Sequence, residues 1–358
     1  MAAARRRGRA PQADGARGQY GSLTNMHTQA NEWVPDVLGD RFEQLTLPLR
    51  PDAEGEVVAT LVRPVSRFRL ELTRPVAAGV DVLYVHGWSD YFFQTELAEY
   101  WQNAGARFHA LDLRKYGRSL RPGQTPGYIT DLNDYDEDIE AALSAIGHGR
   151  HHEPKRPLVM IGHSTGGLIF SLWVDRNPGR VAALILNSPW LEFQASGIGR
   201  AAILPIVELQ ARVDPRAPLP KVDLGFYTRS VSSTMDGDWD YNFEWRPPRG
   251  FTAHPAWLRA ILAGHARVAA GLSIDAPVFT MISARSMLLP KWAPEMMSTD
   301  VVLRVDDIAV RSTRLGPLVT ISRLDGALHD VFLSAPPVRH EAYQQLTRWL
   351  RSYLRPEA

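Results

Sequence analysis

Apolar and polar positions along this chain follow two alternating periods. Short runs of contiguous or alternating apolar residues, the signature of strands, occur at Phe42–Leu47, Val57–Val62, Val80–Val85, Arg107–Leu111, Leu158–Ile161, Val181–Leu186, Pro277–Ser283 and Leu318–Ile321. Stretches with helical spacing lie between or after them, at Glu96–Asn103, Asp134–Ile146, Gly167–Arg176 and Glu341–Leu354. Such alternation predicts an α/β fold, a mostly parallel doubly wound sheet with helices on both faces, entered through an antiparallel pair.

The alternation breaks once. Between Leu186 and Pro277 the chain is too long for a simple crossover. It holds Pro215, Pro218, Pro220, Pro247 and Pro248, an aromatic run from Trp239 to Trp245, and a helical run from Pro255 to Leu272. Residues 191–274 therefore read as a cap inserted over the carboxyl edge of the sheet, between core segments 31–190 and 275–358. The alternating aromatics are expected to pack a half-buried extended segment rather than to line a substrate channel.

Apolar residues at 45% and charged residues at 22% of 358 suit a globular enzyme. The formal charge of +1 becomes −3 without residues 1–24, which hold five arginines and one aspartate, so the folded part has no basic footprint for nucleic acid. With no cysteine, a disulfide framework, a thiolate nucleophile and a thiolate metal site are all excluded. Residues 1–30 are rich in Arg, Ala, Gly and Gln and have no apolar segment after the basic cluster; they are expected to form a disordered tail, with Met26 as an alternative true start. No apolar run approaches the ~20 residues that span a bilayer, so the expectation is a soluble cytoplasmic protein with at most peripheral lipid contact.

The candidate chemistry centres on Leu158–Ile161 followed by Gly162-His163-Ser164-Thr165-Gly166-Gly167. A strand that runs through Gly-x-Ser-x-Gly into a helix is a nucleophile elbow: the sharp turn exposes the Ser164 hydroxyl, and the glycines give the strand and helix room to pack closely. A serine used for acyl transfer needs oxyanion donors, a base and a carboxylate that orients the base. After Val85 comes His86-Gly87-Trp88-Ser89-Asp90, whose Trp88 N–H can pair with that of Thr165 as an oxyanion hole. Chain order of serine, acid and histidine selects His329, in the turn after the last strand, as base. His254 and His265 fall in the cap, His340 starts the last helix, and His163 points away from the reacting face of the elbow. His148, His151 and His152 read as a solvated loop rather than a metal site.

The acid is expected after Ser283, but Ser283-Ala284-Arg285-Ser286 has none. Of the next candidates, Glu295, Asp300, Asp306 and Asp307, the choice rests between Asp300 and Asp306. Asp300 is preferred because Val301-Val302-Leu303 can anchor its loop, whereas Asp306 and Asp307 open a helical run as natural caps.

With these residues in view, the chain resembles the α/β-hydrolases of the serine aminopeptidase, monoacylglycerol lipase and lysophospholipase-like group. The resemblance rests on His86-Gly87-Trp88, the block Asp112 to Ser119, Gly162 to Gly167 and Gly326-x-x-His329, and spans about 40–356. It implies an α/β-hydrolase fold, Ser164 as nucleophile, His329 as base, Trp88 and Thr165 as oxyanion donors, and no cofactor or metal. The acid loop departs from the family pattern through an insertion before Asp300. Asp112 to Ser119 is expected to be a structural turn in which Arg114 bonds backbone carbonyls. The implied activity is hydrolysis of a small-molecule acyl ester, with an amidase or peptidase, or a noncatalytic binding protein of the same fold, as alternatives. Acyl length, head group and oligomeric state are not legible.

Overall fold

The computed structural model describes residues 32–65, 75–193, 197–220 and 223–354, and side chains at all of these except 197–204. The expected tail at 1–30 lies outside the described residues. Nine strands form one sheet in the order β1-β2-β3-β5-β4-β6-β7-β8-β9. The first three, β1 (Val34–Asp36), β2 (Gly39–Asp52) and β3 (Gly55–Pro64), are antiparallel, and β3 joins β5 antiparallel. The parallel part comprises β4 (Asp81–Val85), β5 (Arg107–Asp112), β6 (Leu158–His163), β7 (Ala183–Asn187), β8 (Val278–Ser283) and β9 (Val319–Leu324).

Side chains alternate across each strand, so the sheet feeds two cores. Leu83, Val85, Met160 and Leu184 face α2 (Tyr135–Ala145) and α3 (Thr165–Arg176), packing with Ile139, Leu143, Leu168 and Trp173. Val82, Tyr84, Val159 and Ile161 face the other way, onto Leu97 and Trp101 of α1 (Thr95–Asn103) and Leu346 and Trp349 of α8 (Pro336–Tyr353). The remaining helices are α4 (Gly197–Val213), α5 (Phe226–Val231), α6 (Pro255–Ala270) and α7 (Val305–Ser312).

Three boundaries differ from expectation for physical reasons. Strand β2 runs well past Phe42–Leu47 because its ends pair with the backbone of its neighbours while staying exposed, which leaves no apolar signal. Helix α8 starts at Pro336, five residues before Glu341, because two prolines fill a first turn that needs no N–H donors. Within 191–274, helix α6 belongs to the core: Trp257, Ala260, Ile261 and Val268 are buried in the same cluster as Leu168 and Leu172.

His148 is likewise not in a solvated loop. Its Nε2 lies 2.8 Å from Asp81 Oδ2, at the start of β4, where Arg107 forks the same carboxylate at 2.5 Å and Arg156 approaches to 3.0 Å. Burial alone would raise the Asp81 carboxyl, but His148, Arg107 and Arg156 hold it at about 2. On the neighbouring strand His109 is buried with Nδ1 unpartnered among the described residues, and burial pushes its imidazole down to about 4.

This histidine sets a pH dependence. An unfolded chain binds the proton near pH 6.5 whereas the folded one resists it to about 4, so stability is full above 6.5 and falls as pH drops through that window. Between pH 7 and 4.5 the wild type is expected to lose about 2–3 kcal/mol more than His109→Asn. Urea unfolding at the two pH values measures this; equal losses in both proteins exclude His109 as the source.

Candidate active site

Strand β6 leads directly into α3 through Ser164, whose backbone sits at φ +51°, ψ −116°, a conformation costly for any residue with a side chain. Its surroundings leave no room for relaxation. The Ser164 N–H donates to Asn187 O at 3.0 Å and Ser164 O accepts from Trp190 N–H at 2.9 Å, so the end of β7 holds both backbone groups. Gly162 and Gly166 are required sterically: a Cβ at 162 would stand 2.6 Å from Gly166 O, and one at 166 would stand 2.4 Å from His86 O. Thr165 opens α3, where first-turn N–H groups have no acceptor within the helix.

The loop after β4 presses against this elbow. A Cβ at Gly87 would meet Ser164 Cβ at 3.0 Å and His163 Cδ2 at 3.2 Å. The buried His86 accepts the Leu113 N–H at Nε2, 3.1 Å, which leaves Nδ1 to donate to Gly87 O at 2.8 Å. Burial lowers its pKa and keeps this neutral tautomer. Trp88 N–H has no backbone acceptor among the described residues. Its indole packs on Trp257, with ring centroids 3.8 Å apart, and edge-on to Phe251 and Tyr116.

On the other side of Ser164 the structure brings together His329 and Asp300. His329 Nδ1 lies 2.9 Å from Asp300 Oδ2, both side chains being buried, while Asp300 Oδ1 accepts the N–H groups of Val302 and Leu303 at 2.8 Å each. The insertion explains why no acid follows Ser283: residues 287–299 leave the edge of the sheet and return, so that Asp300 pairs with Arg285 and Met287 through backbone hydrogen bonds of 3.0 and 2.8 Å. Asp306 is 86% exposed and engages Arg323, and Asp307 lies in the first turn of α7. Among the described residues no hydrogen bond joins Ser164 to the His329 ring; such contacts are often long before a substrate binds.

Several residues around the site carried no local signal. Asp330 accepts from Asn187 Nδ2 at 2.6 Å, Phe332 N–H at 2.9 Å and Gln94 Nε2 at 3.1 Å, which ties the His329 turn to β7. The His163 ring, expected to point away, lies 5.0 Å from that of His329, with Nδ1 3.1 Å from Asn187 O; burial lowers its pKa. Tyr227 of α5 meets the His329 ring edge-on at 5.3 Å. The block after β5 is structural, but Arg114 bonds carboxylates rather than backbone carbonyls: its Nε donates to Asp138 at 2.6 Å and its Nη2 to Glu137 at 2.8 Å. Arg118 makes the carbonyl contact, to Phe92 O at 3.0 Å, and also joins Asp112 and Asp36. The aromatic run packs as expected, with Trp239 and Tyr241 against Phe93, Leu328 and Leu333.

Ser164 is 7% and His329 2% exposed. The surface cleft of about 750 Å³ between α1 and α8, lined by Glu96, Tyr100, Tyr343 and Arg348 among others, includes none of these residues. Among the described residues no group of three His, Asp or Glu side chains is placed to hold a metal, and no helix is long and apolar enough to cross a membrane.

Comparison with known proteins gives a consistent picture. Over 281 residues, 77% of this chain and 89% of the relative, it is 24% identical to the monoacylglycerol lipase of Mycolicibacterium smegmatis. It is 32% identical to phospholipase YtpA of Bacillus subtilis over a shorter stretch, 34% of this chain and 43% of that protein. A solved soluble variant of the monoglyceride lipase of Saccharomyces cerevisiae, in complex with a substrate analogue, shares the fold with a TM-score of 0.56 at 17% identity, covering 86% of this chain and 96% of that one. The family profile described as serine aminopeptidase, S33, matches residues 79–279, more than half of the sequence, and the chain belongs to that family of α/β-hydrolases.

Proposed function

We propose that this protein is a lipase- or esterase-like serine hydrolase that cleaves a carboxylic ester of an acyl chain. The observation that carries the reading is the 2.9 Å pair of His329 and Asp300, delivered by distant segments beside the strained elbow of Ser164. Ser164 Oγ attacks the ester carbonyl carbon as His329 Nε2 takes its proton. The carbonyl oxygen becomes an oxyanion held by the N–H groups of Trp88 and Thr165. Asp300, bonded to Nδ1, fixes the tautomer and stabilises the imidazolium, which then protonates the leaving alkoxide. A water activated by His329 hydrolyses the acyl-enzyme by the same steps in reverse.

Two features support an acyl substrate. The wall beside Ser164 is aromatic, built from Trp88, Phe251, Trp257 and Trp190, whose backbone N–H donates to Ser164 O. The named relatives are lipases and a phospholipase. Asp90, a buried carboxylate near the site that could otherwise anchor a substrate amine, is paired with Arg246 at 3.1 Å.

Two measurements test the reading. Ser164→Ala is expected to abolish both fluorophosphonate labelling and turnover of p-nitrophenyl esters, and full labelling of that variant sinks the assignment. Asp300→Asn should fold normally yet lose about 10³–10⁴ in kcat, since the amide favours the wrong tautomer. Asp306→Asn, altering an exposed group, should stay within about twofold of wild type. The reverse ranking moves the acid to Asp306.

A further inference from the structure

The three residues after Trp88 are each gripped by the segment 242–251. Ser89 Oγ accepts the Phe251 N–H at 3.0 Å and Tyr91 Oη accepts the Asn242 N–H at 2.8 Å, while the buried Asp90 carboxylate and the equally buried Arg246 Nε lie 3.1 Å apart as an ion pair outside hydrogen-bond geometry. The Trp88 indole itself packs edge-on against Phe251. Ser89 is at φ +53°, outside the comfortable range for a non-glycine residue, so its backbone has a reason to relax once released. Arg246 is boxed by the faces of Tyr241, Tyr227 and Phe93 at 4.5–5.7 Å, and Tyr227 in turn abuts His329.

We infer that the segment Asn242–Phe251 positions the oxyanion loop, with Arg246 as its main positioning residue, so that the Trp88 N–H is aimed at the reacting carbonyl only while this segment is seated. The inference rests on the ester-hydrolase reading above and extends it: the part of the chain that covers the site also completes its electrostatics. The alternative is that these contacts only hold the covering segment in place and stabilise the fold.

The test is kinetic. Removing an oxyanion donor outright costs about 10²–10³ in kcat; displacing one through Arg246→Gln should cost about 10- to 100-fold with p-nitrophenyl acetate, which needs no acyl pocket. KM should stay within about threefold, after normalisation to active sites counted by fluorophosphonate titration. The Ki of a trifluoromethyl ketone, whose adduct carries the oxyanion, should rise by the factor by which kcat/KM falls. Arg246→Lys should recover part of the loss. Arg216→Gln, which breaks the contact between residue 216 and Glu54 without touching the oxyanion loop, should leave kcat unchanged. If Arg246→Gln fails to fold, Ser89→Ala decides, with an expected loss of about tenfold in kcat and little change in KM. A kcat per active site within threefold of wild type for Arg246→Gln, or for Ser89→Ala where it stands in, overturns the inference. A wild-type protein that neither labels nor turns over esters overturns instead the reading on which it rests.

Discussion

Asn187, at the carboxyl end of β7 and wholly buried, is the residue through which the two halves of the site are held together. Its carbonyl accepts the Ser164 N–H at 3.0 Å and lies 3.1 Å from His163 Nδ1. Its side-chain amide donates to Asp330 at 2.6 Å, and its amide oxygen accepts the Val331 N–H at 3.1 Å. One residue thus fixes the elbow with its backbone and the turn carrying His329 with its side chain. Buried polar groups of this kind stabilise only when every member is satisfied, and removing one leaves the others to bear the desolvation cost. The strain at Ser164, of order 1–3 kcal/mol, persists because such contacts over-determine its backbone.

What could be read from the sequence follows from how local each cause is. Strands β4, β6, β7 and β8 are buried on both faces and announce themselves as apolar runs, and the elbow is written into five consecutive residues because its sterics are local. Asp300 was within reach only as one of two candidates: the insertion hides its place in the fold, and only the backbone pairing of Asp300 with Arg285 and Met287 returns it to the loop after β8. Asp306 stands apart from His329: its surroundings are solvent and Arg323, which no local pattern encodes.

Other features stayed hidden because their partners are remote. His148 looks like a member of a histidine-rich loop until Asp81, 67 positions away, is seen to draw it inward. Arg114 sits in a polar turn where backbone carbonyls are the obvious acceptors, yet α2 presents Asp138 and Glu137 to it. Helix α6 followed an insertion and was grouped with it, although its buried face continues the core cluster. Residues 89 to 91 and their partners at 251, 246 and 242 lie about 150 positions apart, so the link between the covering segment and the oxyanion loop exists only in three dimensions.

That link also constrains how a catalytic cycle can run. Ser164 and His329 are 7% and 2% exposed. On the inference drawn above, any movement that frees Arg246 from Asp90 or Phe251 from Ser89 also relaxes the Trp88 amide, so an open site is a poor catalyst. A buried ion pair such as Asp90–Arg246 is weak evidence for stability as such, because desolvation offsets much of its attraction, so on this inference its contribution is read in the aim of the Trp88 donor rather than in the stability of the fold.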